Sequence, residues 1–223
     1  MINNIINRLQ NKAAKTFKTR RSVKSTLANL YIKDAIQLIE KYDFLQGSDY
    51  IGDRFFRAKL FVDLGMSIEC SLKALRFSLS SDKETPYSTY KKVRKNGHDF
   101  RKLYSDVERL SNRRFTLPKV SKKYINFLNE FQVYYRYSLD FSLLRINSLN
   151  NSLPATQSSI SKWNTITEFL DNPQLANELR NLAVQLHQSS LKCHTKYLSK
   201  HSILFGKRHG SYQRGLNKFI SAL

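Results

Sequence analysis

The chain has 223 residues, of which 41% are hydrophobic, and this is enough to build one sizeable core. With only 7 glycines, 4 prolines and 2 cysteines, the composition excludes an all-β sandwich, a disulfide framework and a four-ligand zinc site. No run of about 18 uncharged apolar residues is present, so no membrane span is predicted, and the net charge of +21 favours a polyanionic partner. We therefore expect an all-α protein of the cytoplasm that carries no cofactor and no metal.

Apolar residues at helical spacing predict five core helices, separated by segments that contain Gly, Pro, Ser or Asp. In chain order the predicted helices are 26–45, 53–80 with Asp53 as its N-cap, 99–110, 121–135 and 175–200. Pro86 and Gly97 bracket a connecting segment with room for short structure, and residues 147–162 form a polar connector.

Modest loops join these helices and no segment has the two-residue period of a strand, so we expect an antiparallel helical bundle. The bundle is assigned to residues 26–200. Residues 1–25 are predicted to be a basic amphipathic N-terminal extension, and residues 201–223 a basic C-terminal tail.

The positive charge is concentrated at both ends of the chain. Residues 1–33 hold eight basic residues and no acidic one, and residues 179–223 hold another eight and again no acidic one. Cationic flanks suit a nucleic acid, because each phosphate that is neutralised releases counterions. The charge alone suits RNA and DNA alike. The candidate nucleic-acid-binding residues are Lys192, Lys196, Lys200, Lys207, Arg208, Arg20 and Arg21.

The basic flanks have plainer interpretations as well. A general basic surface can simply be solvated. The apolar stripe of the N-terminal segment can lie on an anionic membrane, act as a targeting segment, or dock on the core of the protein itself.

The predicted final helix carries Arg180 and Asn181, followed by His187. Arg180 and His187 are two turns apart, so they share a face at the edge of the apolar stripe. A histidine there keeps access to water for general acid–base chemistry, and an arginine can stabilise charge on a phosphate. The rise between them is about 10 Å, so a two-fold dimer would be needed to surround one phosphate. The plainer alternative is a surface arginine beside a boundary histidine.

A second group of residues is an alternative site. Glu69 and Lys73 are four apart on the second helix, either as a simple ion pair or as a partly buried anchor for the segment that holds His98. Arg94 and His98 form another Arg/His pair. Arg136 lies among tyrosines that would stack on bases or cover a helix end. The chain has no Gly-rich phosphate loop and no clustered carboxylates for magnesium, so any phosphodiester chemistry would be metal-independent.

Three segments together resemble the HEPN superfamily, in particular its nucleotidyltransferase-associated branch. They are the Glu-Cys-Ser-Leu-Lys-Ala run at 69–74, the Gly-His-Asp-Phe run at 97–100, and Tyr-Arg-Tyr at 135–137. The resemblance covers about residues 26–200. Phe100 stands where the family usually has Leu, and Ser138 stands where Pro is common.

The resemblance implies a metal-independent endoribonuclease that works as a homodimer, in a toxin–antitoxin, antiphage defence or RNA-processing role. In that family the motif is Arg, a polar residue and then His, and Arg180, Asn181 and His187 match its spacing. The implied roles are proton transfer for His187, phosphate stabilisation for Arg180 and orientation for Asn181. Some relatives with the Gly-His-Asp segment do not cleave RNA. The alternative is therefore a non-catalytic module that binds nucleic acid or a nucleotide and works with a partner, such as an antitoxin or a nucleotidyltransferase.

Overall fold

The computed structural model describes the backbone of residues 2–111, 115–130, 164 and 166–201, and the side chains of 19–111, 115–129, 164 and 166–200. Throughout these residues the chain is helix, turn or loop, without a strand, and this confirms the all-α class. The predictions on Arg136, the connector 147–162, Lys207, Arg208 and the C-terminal tail lie outside the described residues.

The described residues include six α-helices and one 3₁₀ turn with defined bounds. They are α1 (Ile2–Gln46), the 3₁₀ turn (Asp49–Gly52), α2 (Arg54–Leu79), α3 (Pro86–Asn96), α4 (Phe100–Ser111), α5 (Lys122–Glu130) and α6 (Pro173–His201). Residues 166–171 are also helical. No helix within this described part of the chain has a stretch long and apolar enough to cross a membrane.

The first helix is longer than the predicted core helix 26–45. It begins at Ile2 and passes without a break through residue 25, the predicted end of the N-terminal extension. The reason is local, because residues 2–46 contain neither glycine nor proline to interrupt a helix. Val23, Lys24 and Ser25 are already buried, so packing against the rest of the fold begins before residue 26.

Helix starts and ends follow the capping residues. Asp53 caps α2 by accepting a hydrogen bond from the backbone N–H of Phe55 (2.9 Å), as predicted. The segment between α2 and α4 forms α3, with Thr85 as its N-cap and Pro86 in its first turn. Gly97 ends α3 with a φ of +53°, a conformation that side chains other than glycine rarely adopt.

The core is built around α2, which contacts α1, α4 and α6. Its Leu64, Ile68 and Leu72 are completely buried. Phe127 of α5 stacks on Phe169 with ring centroids 3.8 Å apart, which fixes α5 against the 166–171 segment. Burial of each such side chain stabilises the fold by about 1.5 to 3 kcal/mol.

Two buried cations tie the smaller helices to this core. Arg76 of α2 is 1% exposed and bonds Asp106 of α4 through Nε (2.6 Å) and Glu84 through Nη2 (3.1 Å). Lys24 of α1 donates to the backbone carbonyl of Ser81 (2.7 Å). Because a buried charge is tolerated only with partners, these bonds hold α4 and the α2–α3 loop in place.

Candidate functional site

Arg180 and His187 both lie at the edge of the buried face of α6, and each is partly exposed. The Arg180 guanidinium is already occupied, since Nε and Nη2 donate to the two carboxylate oxygens of Asp43 on α1 at 2.7 and 2.6 Å. The bond to Asp43 raises the pKa of Arg180. A phosphate that binds Arg180 therefore has to displace or share Asp43. The pair is only partly exposed and has two short hydrogen bonds, so its loss has a cost that the contacts to a phosphate must offset.

The surroundings of His187 favour the neutral form of its ring. Burial lowers its pKa, and the nearby negative charge of Glu40 on α1 opposes that shift. A neutral imidazole can accept a proton, which is the first task of a general base. Asn181, the third member of the predicted catalytic set, is exposed on α6.

His194, two turns beyond His187, is a buried histidine. It is 4% exposed, its Nδ1 has no hydrogen-bond partner among the described residues, and burial lowers its pKa. It therefore belongs to the packed interior between the helices.

Lys192, Lys196 and Lys200 form a lysine ladder on α6. All three are exposed, and no carboxylate in the described part of the chain lies within ion-pair distance of them. They span about 12 Å along the helix, and Lys192 is turned about 140° away from His187 around the helix axis. The structure therefore places these predicted nucleic-acid-binding lysines on a different face from the predicted catalytic pair.

The predicted arginines of α1 differ from the lysine ladder. Arg21 bonds Asp82 through two parallel hydrogen bonds of 2.9 and 2.5 Å, which join α1 to the α2–α3 loop. Its guanidinium thus has a role within the fold. Arg20 is partly buried beside it.

The structure brings three members of the alternative site together. Glu69 is ion-paired with Lys73, and its other oxygen lies 2.8 Å from Nδ1 of His98. Glu69 and Lys73 are each 16% exposed, whereas His98 is 60% exposed. This is the arrangement in which a partly buried pair anchors the His98 segment to α2. Arg94 is exposed on α3 and lies outside this cluster of bonds.

Two concave regions were not predicted from the sequence. A cavity of about 330 Å³ lies where the 3₁₀ turn, α2 and the start of α6 meet, with Phe61, Leu60 and Leu170 among its walls. A larger groove of about 610 Å³ lies between α3 and α4. Its lining residues are Lys92, Lys95, Asn96, Arg101, Lys102, Ser105, Asp106 and Arg109. The only sequence signal for this groove is the density of basic residues from 91 to 109, which is less evident than the acid-free flanks.

In the described residues there is no group of three or more His, Cys, Asp or Glu side chains that is arranged to hold a metal ion. Comparison of the chain with protein-family models, with curated proteins and with solved structures found no match.

Proposed function

We propose that this protein binds RNA, and that the lysine ladder of α6 is a principal contact. The observation that carries the proposal is that Lys192, Lys196 and Lys200 are exposed at four-residue spacing without an acidic partner in the described part of the chain. The net charge of +21 adds long-range attraction for a polyanion. Lysine ammonium groups at this spacing suit phosphates, because they act as mobile point charges.

The proposed architecture is an antiparallel, HEPN-like bundle in the cytoplasm. Support for antiparallel packing comes from the order of the bonds between helices. Lys41 and Asp63 form an ion pair of 2.7 Å, and Lys24 bonds the backbone of Ser81. The later residue of α1 thus contacts the earlier residue of the α2 region, as in antiparallel packing.

The test is RNA binding by the triple variant K192Q/K196Q/K200Q, measured by fluorescence anisotropy with a labelled 20-nucleotide RNA. The matched control is K33Q/K59Q/K119Q, which removes the same charge from three exposed lysines elsewhere. Because the ladder variant can no longer neutralise three phosphates, its slope of log K against log salt should become shallower by about 2, and the control should keep the wild-type slope. Equal weakening in both variants, or no binding by the wild type, would refute the proposal.

A second candidate function is metal-independent RNA cleavage by a homodimer, at Arg180, Asn181 and His187. The specific observation in its favour is that burial lowers the pKa of His187, which favours a proton-accepting ring, and that Arg180 lies two turns away on the same edge of α6, where it is paired with Asp43. In this proposal His187 takes the proton of the ribose 2′-hydroxyl as that oxygen forms a bond to the adjacent phosphorus, and delivers a proton to the 5′ oxygen as the P–O5′ bond breaks. Arg180, released from Asp43, stabilises the charge on the phosphate, and Asn181 orients the reacting phosphate. A toxin–antitoxin, defence or RNA-processing role, with an antitoxin or nucleotidyltransferase partner, belongs to the same proposal.

Cleavage is tested with RNA in the presence of a chelator, using wild type, H187A and R180A. H98A is the matched control, because His98 is the exposed histidine of the alternative site. Both H187A and R180A should abolish cleavage, while H98A should retain it. Equal cleavage by all four proteins would exclude this site. If only H98A loses cleavage activity, the cleavage site would be assigned to Glu69 and His98 instead. Light scattering of the wild type checks the dimer.

A further inference from the structure

The groove between α3 and α4, called here the α3–α4 groove, is a concentrated positive surface. Five cations line it, namely Lys92, Lys95, Arg101, Lys102 and Arg109. Its position is set by the bonds of Arg76 to α4 and to the α2–α3 loop, so the two walls are fixed relative to the core.

The carboxylates near the groove are neutralised by internal partners. Asp106, the only acid among the described lining residues, accepts from buried Arg76 behind it and from Arg109 beside it, each at 2.6 Å. Glu84 lies 3.1 Å from both Arg76 and Lys92, and these cations lower its pKa against the opposing effect of burial. Each of these carboxylates therefore has two cations close to it.

Two groove cations, Lys95 and Arg101, have no ion-pair partner among the described residues, and a third, Lys102, is paired at the surface. Lys95 is exposed, and no carboxylate in the described residues lies within ion-pair distance of it. Arg101 donates through Nη2 to the neutral amide oxygen of Asn126 at 3.0 Å, so its positive charge is not cancelled. Lys102 is paired with Asp99, in a contact that leaves Lys102 69% exposed. The described lining therefore carries more positive than negative charge, with five cations and one carboxylate.

The lining also indicates which part of a polyanion would be contacted. The described lining residues include no aromatic side chain, so they offer no stacking platform for bases. Arg101 and Arg109 are separated by a rise of about 12 Å along α4. Since the phosphates of one strand of a DNA duplex are spaced about 3.4 Å along the helix axis, this length corresponds to the span of a few successive phosphates in a nucleic-acid strand.

We propose that the α3–α4 groove is a second RNA-binding site, which holds the phosphate backbone independently of base sequence. The proposal rests on the proposed RNA-binding function and adds a contact surface that is separate from the lysine ladder of α6. Lys95 and Arg101 supply the charge, and the Arg76–Asp106 pair fixes the wall on which Arg101 and Arg109 stand.

The experiment compares K95Q/R101Q with two reference variants in the full chain. K33Q/K59Q removes the same charge from exposed positions on α1 and α2, and K95R/R101K keeps the charge while exchanging the side chains. Binding is measured by anisotropy with two labelled 12-base-pair RNA duplexes of unrelated sequence, over a series of salt concentrations. Circular dichroism checks that each variant keeps its helix content.

We expect K95Q/R101Q to bind both duplexes about 5- to 30-fold more weakly, with a salt slope shallower by about 1.8, while K95R/R101K binds like the wild type. The groove is refuted if K95Q/R101Q and K33Q/K59Q weaken binding equally, or if the weakening occurs for only one of the two sequences. Loss of binding in K192Q/K196Q/K200Q with no change in K95Q/R101Q overturns the groove and leaves the proposed function intact. If the wild type does not bind RNA, both the groove proposal and the proposed function are refuted. The same holds if the wild type binds anionic lipid vesicles instead of RNA.

Discussion

Lys24 provides a quantitative test of the packing between α1 and the α2–α3 loop. The side chain is 1% exposed, and its ammonium donates to the carbonyl of Ser81 at 2.7 Å. Burial lowers the pKa of Lys24 from 10.5 to about 8, although the negative charges of Glu84 and Asp82 oppose the shift. At 1.36 kcal/mol per pKa unit, this lowering of the pKa means that the folded protein destabilises the charged form of Lys24 by about 3 kcal/mol.

The sign of the pH dependence follows from proton uptake. Below pH 8, Lys24 is protonated in both the folded and the unfolded chain, so the whole cost of burying the charge is present. Between pH 8 and 10.5 the unfolded chain binds more protons than the folded chain, and stability therefore rises with pH. Above pH 10.5 both states are neutral at Lys24, so the cost is gone.

The perturbation is Lys24→Met, which keeps a long flexible side chain and removes the charge. At pH 7 the variant does not have the cost of burying a charge, but the Ser81 carbonyl loses its hydrogen-bond donor, which costs about 1 to 3 kcal/mol. Because these two effects oppose each other, the free energy of unfolding of the variant should lie within about 2 kcal/mol of the wild-type value. From pH 7 to pH 10 the wild type should gain about 2 to 3 kcal/mol over the variant.

The assay is urea unfolding followed by circular dichroism at 222 nm, at pH 7, 8, 9 and 10. Taking the difference between the two proteins cancels the titration of tyrosines and other groups that both share. Lys33→Met, a substitution at an exposed position of the same helix, is the control and should give a pH-independent difference. A flat difference for Lys24→Met would show that the ammonium is hydrated, and would refute the packing described for α1.

Three further predictions concern stability. His194→Leu should lose less stability than the wild type between pH 7 and pH 5. The reason is that burial lowers the pKa of His194, so below pH 6.5 the unfolded wild-type chain binds a proton there before the folded chain does. Equal losses of stability in urea titrations of the two proteins would contradict this. Leu186→Ala should lower the free energy of unfolding by about 2 to 5 kcal/mol, because Leu186 is completely buried. Leu191→Ala, at a position 47% exposed on the same helix, should lower it by less than about 1 kcal/mol. Similar values for the two variants would mean that α6 is packed differently. Gly97→Ala should lower stability by about 1 to 3 kcal/mol, because an alanine is strained at a φ of +53°, and an unchanged melting temperature would disagree.

The features that sequence could predict are those set by neighbours along the chain. The extent of α2 follows from Asp53 at its start and from apolar residues at helical spacing. The all-α class follows from the same periodicity. The face shared by Arg180 and His187 follows from helix geometry alone.

The features that sequence could not predict depend on distant residues. Asp43 and Arg180 are 137 positions apart, so the carboxylate that occupies the guanidinium becomes visible only when α1 and α6 are packed together. The α3–α4 groove likewise depends on the turn at Gly97, which brings two basic helices side by side. The prediction separated an amphipathic segment, residues 1–25, from a core helix that starts at residue 26, whereas α1 runs through both because no glycine or proline interrupts it.

Arginine and lysine have different tasks in this fold, and the difference bears on how RNA would be bound. Three arginines form two-bonded pairs with aspartates that join separate parts of the chain: Arg21 with Asp82, Arg54 with Asp171, and Arg180 with Asp43. A planar guanidinium suits such pairs, whereas the lysines of α6 remain exposed as point charges.

The proposed RNA contacts would therefore be made mainly by lysines, which attract phosphates without fixing their orientation. Binding of this kind is strongly weakened by salt and carries little base specificity. Cleavage requires more, because Arg180 has to exchange Asp43 for a phosphate on a face that the lysine ladder does not share. The proposed binding and the proposed cleavage therefore rest on different faces of α6 and can be tested separately. This separation predicts two results. A variant of the lysine ladder should bind RNA weakly yet cleave it at saturating concentration, and a variant of Arg180 should bind RNA normally and not cleave it.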